Sequence, residues 1–223
     1  MKQNILGIVL AHGKAREAVA RHETLWAPLC DQLVYFTPVD DRLLLPGRLE
    51  FSIGKSQAYS ADTNLRCRAA MKFAALTRYE YVALFEYDSF IIGPWPVSLP
   101  DSDEVKAVKC GDPYNTKFQG KSFLTFPQLY GFEAVRAVAS AMDDMAIDAE
   151  GGFTDRYIGY AVERTGVVTV KFDDPKLEFS KNHVTAEDLP VAEKRIREGA
   201  RWIHGVKDEA VFTALLKAAA GAR

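Results

Sequence analysis

The chain opens on an apolar run, Ile5 to Leu10, that stops at His12-Gly13. A run without polar alternation predicts a strand buried on both faces, as in a parallel sheet. Ala15, Ala18, Val19, His22, Leu25, Trp26 and Leu29 then recur at helical spacing, with Lys14, Arg16, Glu17 and Glu23 between them. Leu33 to Val39 reads as a second strand ending in Asp40-Asp41, and strand, helix, strand in this order calls for a right-handed parallel crossover. Residues 42–62 carry Pro46, Gly47 and Gly54 without a sustained period and read as an ordered loop. Asp62, Thr63 or Asn64 can cap a helix whose expected buried stripe is Leu65, Ala69, Phe73 and Leu76. Tyr81 to Phe85 is a further core strand, and it leads into Glu86-Tyr87-Asp88-Ser89.

In the second half, Val105 to Val108 predicts a strand ended by Gly111-Asp112-Pro113. Tyr114 to Gln128, with Lys117, Gly120, Lys121 and Pro127, has the composition of a mobile active-site loop. Phe132, Val135, Val138, Ala139 and Met142 form another helical stripe. Gly151-Gly152 precedes a helix from Asp155 to Thr165, closed by Gly166, and Val167 to Phe172 is the last clear strand. The tail reads as a polar helix over 188–198, the segment Trp202 to Asp208, and an Ala-rich helix. Alternating strands and helices imply a single α/β domain, an open and mostly parallel sheet with helices on both faces. Ligands in such sheets bind beyond the carboxyl ends of the strands.

Composition narrows the classes. The 223 residues are 48% hydrophobic and 11% aromatic, enough for one domain with its own core. A formal net charge of -2 gives no general attraction to nucleic acid or to an anionic membrane. No stretch approaches the ~20 apolar residues of a membrane span, and the first apolar run is short for a secretory signal, so a cytoplasmic protein is expected. Cys30, Cys67 and Cys110 form no CxxC pair and read as buried free thiols. The absence of GxxxxGK[ST] disfavours a P-loop enzyme, and the absence of GxGxxG weakens a dehydrogenase reading.

Three short segments carry candidate chemistry. Glu86 and Asp88 are two apart in extended chain, so both carboxylates can face one site. Carboxylates that close repel unless a cation intervenes, and Mg²⁺ or Mn²⁺ with oxygen ligands resolves the conflict. A solvated acidic turn is the plainer reading of the same residues. In Trp202-Ile203-His204-Gly205-Val206-Lys207-Asp208, His204 can ligate Mn²⁺ and Lys207 can meet a phosphate, although such a histidine is more often structural. Asp155 starts a helix in Thr154-Asp155-Arg156-Tyr157-Ile158-Gly159, where a carboxylate is usually a cap. Asp40 or Asp41 can meet a ribose or base, or form a plain acidic turn. Phe123, Phe126 and Tyr130 suit sugar stacking or core packing, and His12 and Gly13 end the first strand where a nucleotide could approach.

The helix before Tyr81, the strand to Phe85 and Glu86-Tyr87-Asp88 together resemble the GT-A glycosyltransferases, whose Asp-any-Asp motif holds a divalent metal against a nucleotide-sugar diphosphate. Glu86 departs from the first Asp, and Asp88 matches the second. Asp155 before Tyr157-Ile158-Gly159 is similar to the acidic residue that serves as base in inverting members, and His204 with Lys207 to a late His-any-any-Lys segment. The resemblance implies a GT-A fold and metal-dependent glycosyl transfer. It also implies Mn²⁺ or Mg²⁺, a nucleotide-sugar donor (possible in UDP-linked form) and a glycan, lipid or small-molecule acceptor. Metal ligands would be Asp88, Glu86 and His204; donor contacts Asp40, Asp41, Glu86 and Lys207; base Asp155. Competing readings are a sugar nucleotidyltransferase, weakened by the single glycine in Ala11-His12-Gly13-Lys14-Ala15-Arg16, a catalytically degenerate binding domain, and a hydrolase using Glu86 and Asp155 as an acid/base pair.

Overall fold

Strand β1 (Ile5–Leu10) lies inside the sheet, paired parallel with β2 (Gln32–Thr37) on one side and β4 (Tyr81–Glu86) on the other. The computed structural model describes residues 4–56, 61–93, 95, 98–111, 122–147, 154–166, 168–171, 178–180 and 183–221. Strand β3 (Leu49–Ser52) extends the sheet beyond β2 in parallel. Beyond β4 come β7 (Ser122–Gly131), antiparallel to it, then β6 (Glu104–Gly111), and finally β8 (Val168–Lys171), parallel to β6. The order β3-β2-β1-β4-β7-β6-β8 makes a seven-stranded mixed sheet in which β7 alone, among the described strands, runs against the rest.

Two-residue alternation sorts the strand side chains onto two faces. Leu6, Ile8, Val34, Phe36, Val82 and Leu84 face α2 (Ala61–Ala75), α3 (Phe132–Asp143) and α4 (Thr154–Thr165). Ile5, Val9, Tyr35, Ala83 and Phe85 face α1 (Arg16–Trp26) and Trp202. Because both faces are covered, β1 and β4 need apolar residues at every position, which is the uninterrupted pattern of their sequences. Each large aliphatic or aromatic chain so buried contributes about 1.5–3 kcal/mol.

A smaller three-stranded sheet stands beside the α1 layer. In it β10 (Trp202–His204) pairs antiparallel with β5 (Phe90–Ile91) and parallel with β9 (Glu178–Ser180). Its own core joins Phe90, Ile203 and Val206 to Ile196 of α5 (Leu189–Arg197) and to Phe212 and Leu215 of α6 (Glu209–Gly221). No helix among the described residues is long and apolar enough to cross a membrane.

The α/β class, the open sheet and the helices on both faces agree with the sequence pattern, and several local expectations do not. The expected loop over 42–62 contains β3, a four-residue edge strand too short to impose a visible period. The second strand ends at Thr37, and Val39 is exposed. On α2 the fully buried residues are Asn64, Cys67, Ala70, Met71 and Ala74, whereas Leu76 is 86% exposed. Small apolar residues surround much of that helix, so more than one stripe fits, and the sheet selects the one whose alanines allow close approach. Residues 122–128 of the expected active-site loop belong to β7; residues 112–121 lie outside the described residues. Pro127 falls where the β6–β7 register shifts, between the Lys106–Leu129 and Val108–Thr125 pairs. A proline is compatible with an interior strand at such a bulge, where a ladder donor is already missing. Tyr130 is a core residue, with no exposed surface. Cys67 is a buried free thiol and Cys30 a half-buried one, desolvation drives both far above the ordinary thiol range, and the Cys110 side chain lies outside the described residues.

Trp26 joins the layers. Its indole stacks on Phe85 at 5.4 Å and donates from Nε1 to the Ser89 carbonyl at 2.8 Å. Beside it, His22 packs against Phe212, hydrogen-bonds the Ala18 carbonyl through Nδ1, and is pushed down by burial to about 4, so its ring stays neutral. Trp26→Ala would lose both the packing and the hydrogen bond. The expected loss is about 3–5 kcal/mol of unfolding free energy, read from urea denaturation.

Candidate active site at the end of the fourth strand

The chain leaves β1 for β2 and β3 on one side, then crosses back to β4 on the other. The order reverses between β1 and β4, and the crevice at the carboxyl ends of the strands flanking such a switch point is the usual ligand position in an open α/β sheet. Leu10 is in register with Glu86, so His12 and the residues after Glu86 emerge side by side.

The turn after β4 is held from three directions. Ser89 N–H donates to the Glu86 carbonyl at 3.1 Å, Trp26 holds the Ser89 carbonyl, and Val206 N–H donates to the Asp88 carbonyl at 3.1 Å. The last bond brings the segment after β10 against the turn. Between His204 and Val206 the chain passes through Gly205 at φ +88, a left-handed conformation that glycine adopts without steric penalty. This places His204 against Glu86 and Asp88, and Lys207 against Asp88.

His204 Nε2 lies 3.1 Å from Glu86 Oε2 and 3.4 Å from Asp88 Oδ1. Lys207 Nζ lies 3.5 Å from Asp88 Oδ2. One ligand atom from each of Glu86, Asp88 and His204 falls within 4.8 Å of the others. Donors bound to one Mg²⁺-sized ion at about 2.1 Å are separated by roughly 3–4 Å, so little rearrangement is required to share a cation. The Asp88 side chain is 3% exposed, and its Oδ1 is buried without a hydrogen-bond partner. A buried carboxylate oxygen in that condition fits a cation ligand. Two carboxylates and one imidazole form an O,O,N donor set for a divalent cation, with no thiolate in it. Burial disfavours the charged imidazole of His204, but the Glu86 hydrogen bond and the charges of Asp88 and Glu86 outweigh it and raise the ring to about 9.

The other sequence-selected residues lie around this centre at different ranges. Asp155, in the first turn of α4, is raised to about 6 by burial and then by the Glu86 carboxylate, so the two groups share one electrostatic neighbourhood. The Lys207 ammonium stands 5.6 Å from the centroid of the Tyr87 ring, and the His12 ring meets that ring edge-on at 4.9 Å. His12 Nδ1 is in turn 3.7 Å from Asp41 Oδ2. Asp41 thus joins the crevice through His12 and Tyr87. Asp40 points to its own loop, accepting from Ser56 N–H at 2.7 Å and from Ser56 Oγ at 3.2 Å.

Gly13, noted from the sequence, and Glu50, which was not, hold this rim in place. Gly13 N–H donates to the Asp41 carbonyl at 2.7 Å, and a Cβ at Gly13 would stand 2.6 Å from the Arg42 carbonyl oxygen, so this close approach requires glycine. Glu50 of β3 accepts from Thr37 Oγ1, Leu43 N–H and Leu44 N–H at 2.6, 2.8 and 3.0 Å. Burial works against its charge, yet these donors hold its carboxyl below the ordinary range. Glu50 was hidden in a stretch read as loop, and its partners are fixed by chain packing. Tyr87 carried a signal only by its place between the two carboxylates. Phe123 and Phe126 have side chains outside the described residues.

No family model matches the sequence, and no curated protein matches it. Among solved structures, the chain is similar to a glycosyltransferase involved in the glycosylation of the major capsid of PBCV-1. The identity is 11%, the match covers 96% of this chain and 99% of that chain, and the TM-score is 0.57. At this identity the likeness is one of fold, and it extends over nearly the whole of both chains: this protein has a GT-A-like glycosyltransferase fold.

Proposed function

We propose that this protein is a metal-dependent glycosyltransferase that moves a sugar from a nucleotide-diphosphate donor to an acceptor hydroxyl. The observation that carries the reading is the convergence of Glu86, Asp88 and His204 within 4.8 Å, with Lys207 beside them, at the strand-end crevice of a glycosyltransferase-like fold. Glu86, Asp88 and His204 would hold Mn²⁺ or Mg²⁺. A cation bound there supplies positive charge against the diphosphate as the sugar–phosphate bond breaks. Lys207 adds a second positive charge for the leaving diphosphate. His12, Tyr87 and Asp41 line the nucleotide side of the crevice, with Asp40 on the adjoining loop. Asp155 takes the proton of the acceptor hydroxyl as the new bond forms, a role that goes with inversion at the anomeric carbon. A base whose pKa is raised to about 6 is still ionised near neutrality and is a better proton acceptor than an unperturbed carboxylate.

Thermal stabilisation tests the reading directly. UDP and GDP, each with and without Mn²⁺, are expected to raise the melting temperature only when nucleotide and metal are both present, because a ligand of the native state stabilises by mass action. Asp88→Asn is expected to abolish the shift. A nucleotide shift that survives in the variant without metal would sink the proposed metal site.

The His204 ring must lose its proton to ligate a metal, so Mn²⁺ affinity is expected to rise by up to about tenfold per pH unit between pH 7 and about 9, then level off. Isothermal titration across that range gives the slope. In the metal-free protein the same ring, with a folded value above its usual 6.5, adds stability that is complete below about pH 6.5. That contribution is lost as the pH rises through about 9.

Asp155→Asn is expected to lower kcat by about 10²–10⁴-fold while leaving the metal-dependent nucleotide shift in place. In the wild type the rate is expected to fall below about pH 6 as Asp155 takes up its proton. Retention of wild-type kcat in Asp155→Asn would remove it as the base.

A further inference from the structure

Two of the positive groups around Glu86 and Asp88 differ in freedom. His204 belongs to β10, which is hydrogen-bonded on both sides, and its side chain is 16% exposed. Lys207 lies beyond the strand, and its side chain is 39% exposed. Its backbone is fixed, since the Lys207 carbonyl accepts from Arg21 Nη2 at 3.2 Å and the neighbouring Val206 is bonded to Asp88. The ammonium, carried on a flexible four-carbon stem, can therefore swing while its anchor stays in place. At rest it lies 3.5 Å from Asp88 Oδ2, on the carboxylate whose other oxygen has no hydrogen-bond partner.

We propose that Lys207 is the occupant that a cation must displace from Asp88, and that the donor diphosphate receives the displaced ammonium. The inference rests on the metal-site reading above and adds the form in which the site takes its substrate: cation and nucleotide diphosphate as one unit. A cation arriving alone meets a positive charge already paired with its best buried ligand. A diphosphate arriving alone meets two carboxylates and a lysine that is engaged elsewhere. When both arrive, Asp88 passes from ammonium to cation and Lys207 passes from carboxylate to phosphate, so each ligand raises the affinity of the other. Such coupling is reciprocal by thermodynamic necessity. Lys207 is on this account a positioning residue that suppresses futile metal loading and contributes to donor binding.

The test is calorimetric titration of Mn²⁺ at physiological salt into the wild type, Lys207→Met and Lys14→Met, each alone and with UDP or GDP. Far-UV circular dichroism confirms that each variant is folded. Lys14 is an exposed cation of the same rim whose charge reaches His12, so its variant reports removal of nearby charge without removal of the Asp88 pair. The expected result is Mn²⁺ binding without nucleotide that is about fivefold tighter in Lys207→Met and within about twofold of wild type in Lys14→Met. The enhancement of Mn²⁺ affinity by nucleotide is expected to shrink in Lys207→Met. Equal or weaker Mn²⁺ binding by Lys207→Met, or equal tightening by Lys14→Met, would overturn the proposal while leaving the metal site standing. A wild type that binds no Mn²⁺ with either nucleotide would overturn the metal site and this inference together.

Discussion

Two carboxylates placed two residues apart at the end of a buried strand set the main constraint on this protein. Near a protein surface, like charges about 4 Å apart repel by on the order of 4 kcal/mol. Asp88 is almost wholly out of solvent, so water does little to relieve this, and the balance comes from elsewhere in the chain. His204 and Lys207, more than a hundred residues later, supply the opposing charge at 3.1–3.5 Å. The C-terminal segment is thereby part of the crevice. Its own core of Phe90, Ile203, Val206 and Phe212 keeps it docked even though the charged contacts are only partly buried.

The same site shows how packing converts weak local signals into a defined geometry. Trp26, on the first helix, stacks on the strand that ends in Glu86 and holds the carbonyl of Ser89, so the acidic turn rests on a large buried surface. Gly205 turns the chain between the histidine and the lysine, and Gly13 lets the end of β1 lie against the Asp41 backbone. Glu50, on an edge strand, gathers three donors and fixes the loop behind Asp41. None of these residues need touch a substrate, yet each limits where one can lie.

The perturbed groups divide along the same line. His204 is raised and Asp155 is raised, each beside Glu86, whereas His22 is lowered in an apolar layer behind the site. Burial acts on all three. The Glu86 hydrogen bond and the carboxylate charges outweigh it at His204, the like charge of Glu86 adds to it at Asp155, and at His22 it outweighs the Asp88 charge. His204 is thus held as a cation beside Glu86 and Asp88, Asp155 is a carboxylate easily protonated, and His22 is a neutral packing residue.

The sequence by itself determined the α/β class and most of the large elements, because strands covered on both faces need unbroken apolar runs and covering helices need a periodic stripe. It also singled out Glu86 and Asp88, since residues two apart in extended chain turn both carboxylates to one side. Tertiary structure alone decided the rest. The buried stripe of α2, the edge strand at Leu49–Ser52 and the bulge at Pro127 depend on which neighbours each segment meets, and short-range periodicity is silent about neighbours. The same holds for the charged cluster: side-chain chemistry and a resembling His-any-any-Lys segment pointed to His204 and Lys207, but only folding brings them across more than a hundred residues to Asp88. Distances of a few ångströms between such remote groups are set by the summed packing of three apolar cores, and no local pattern encodes them.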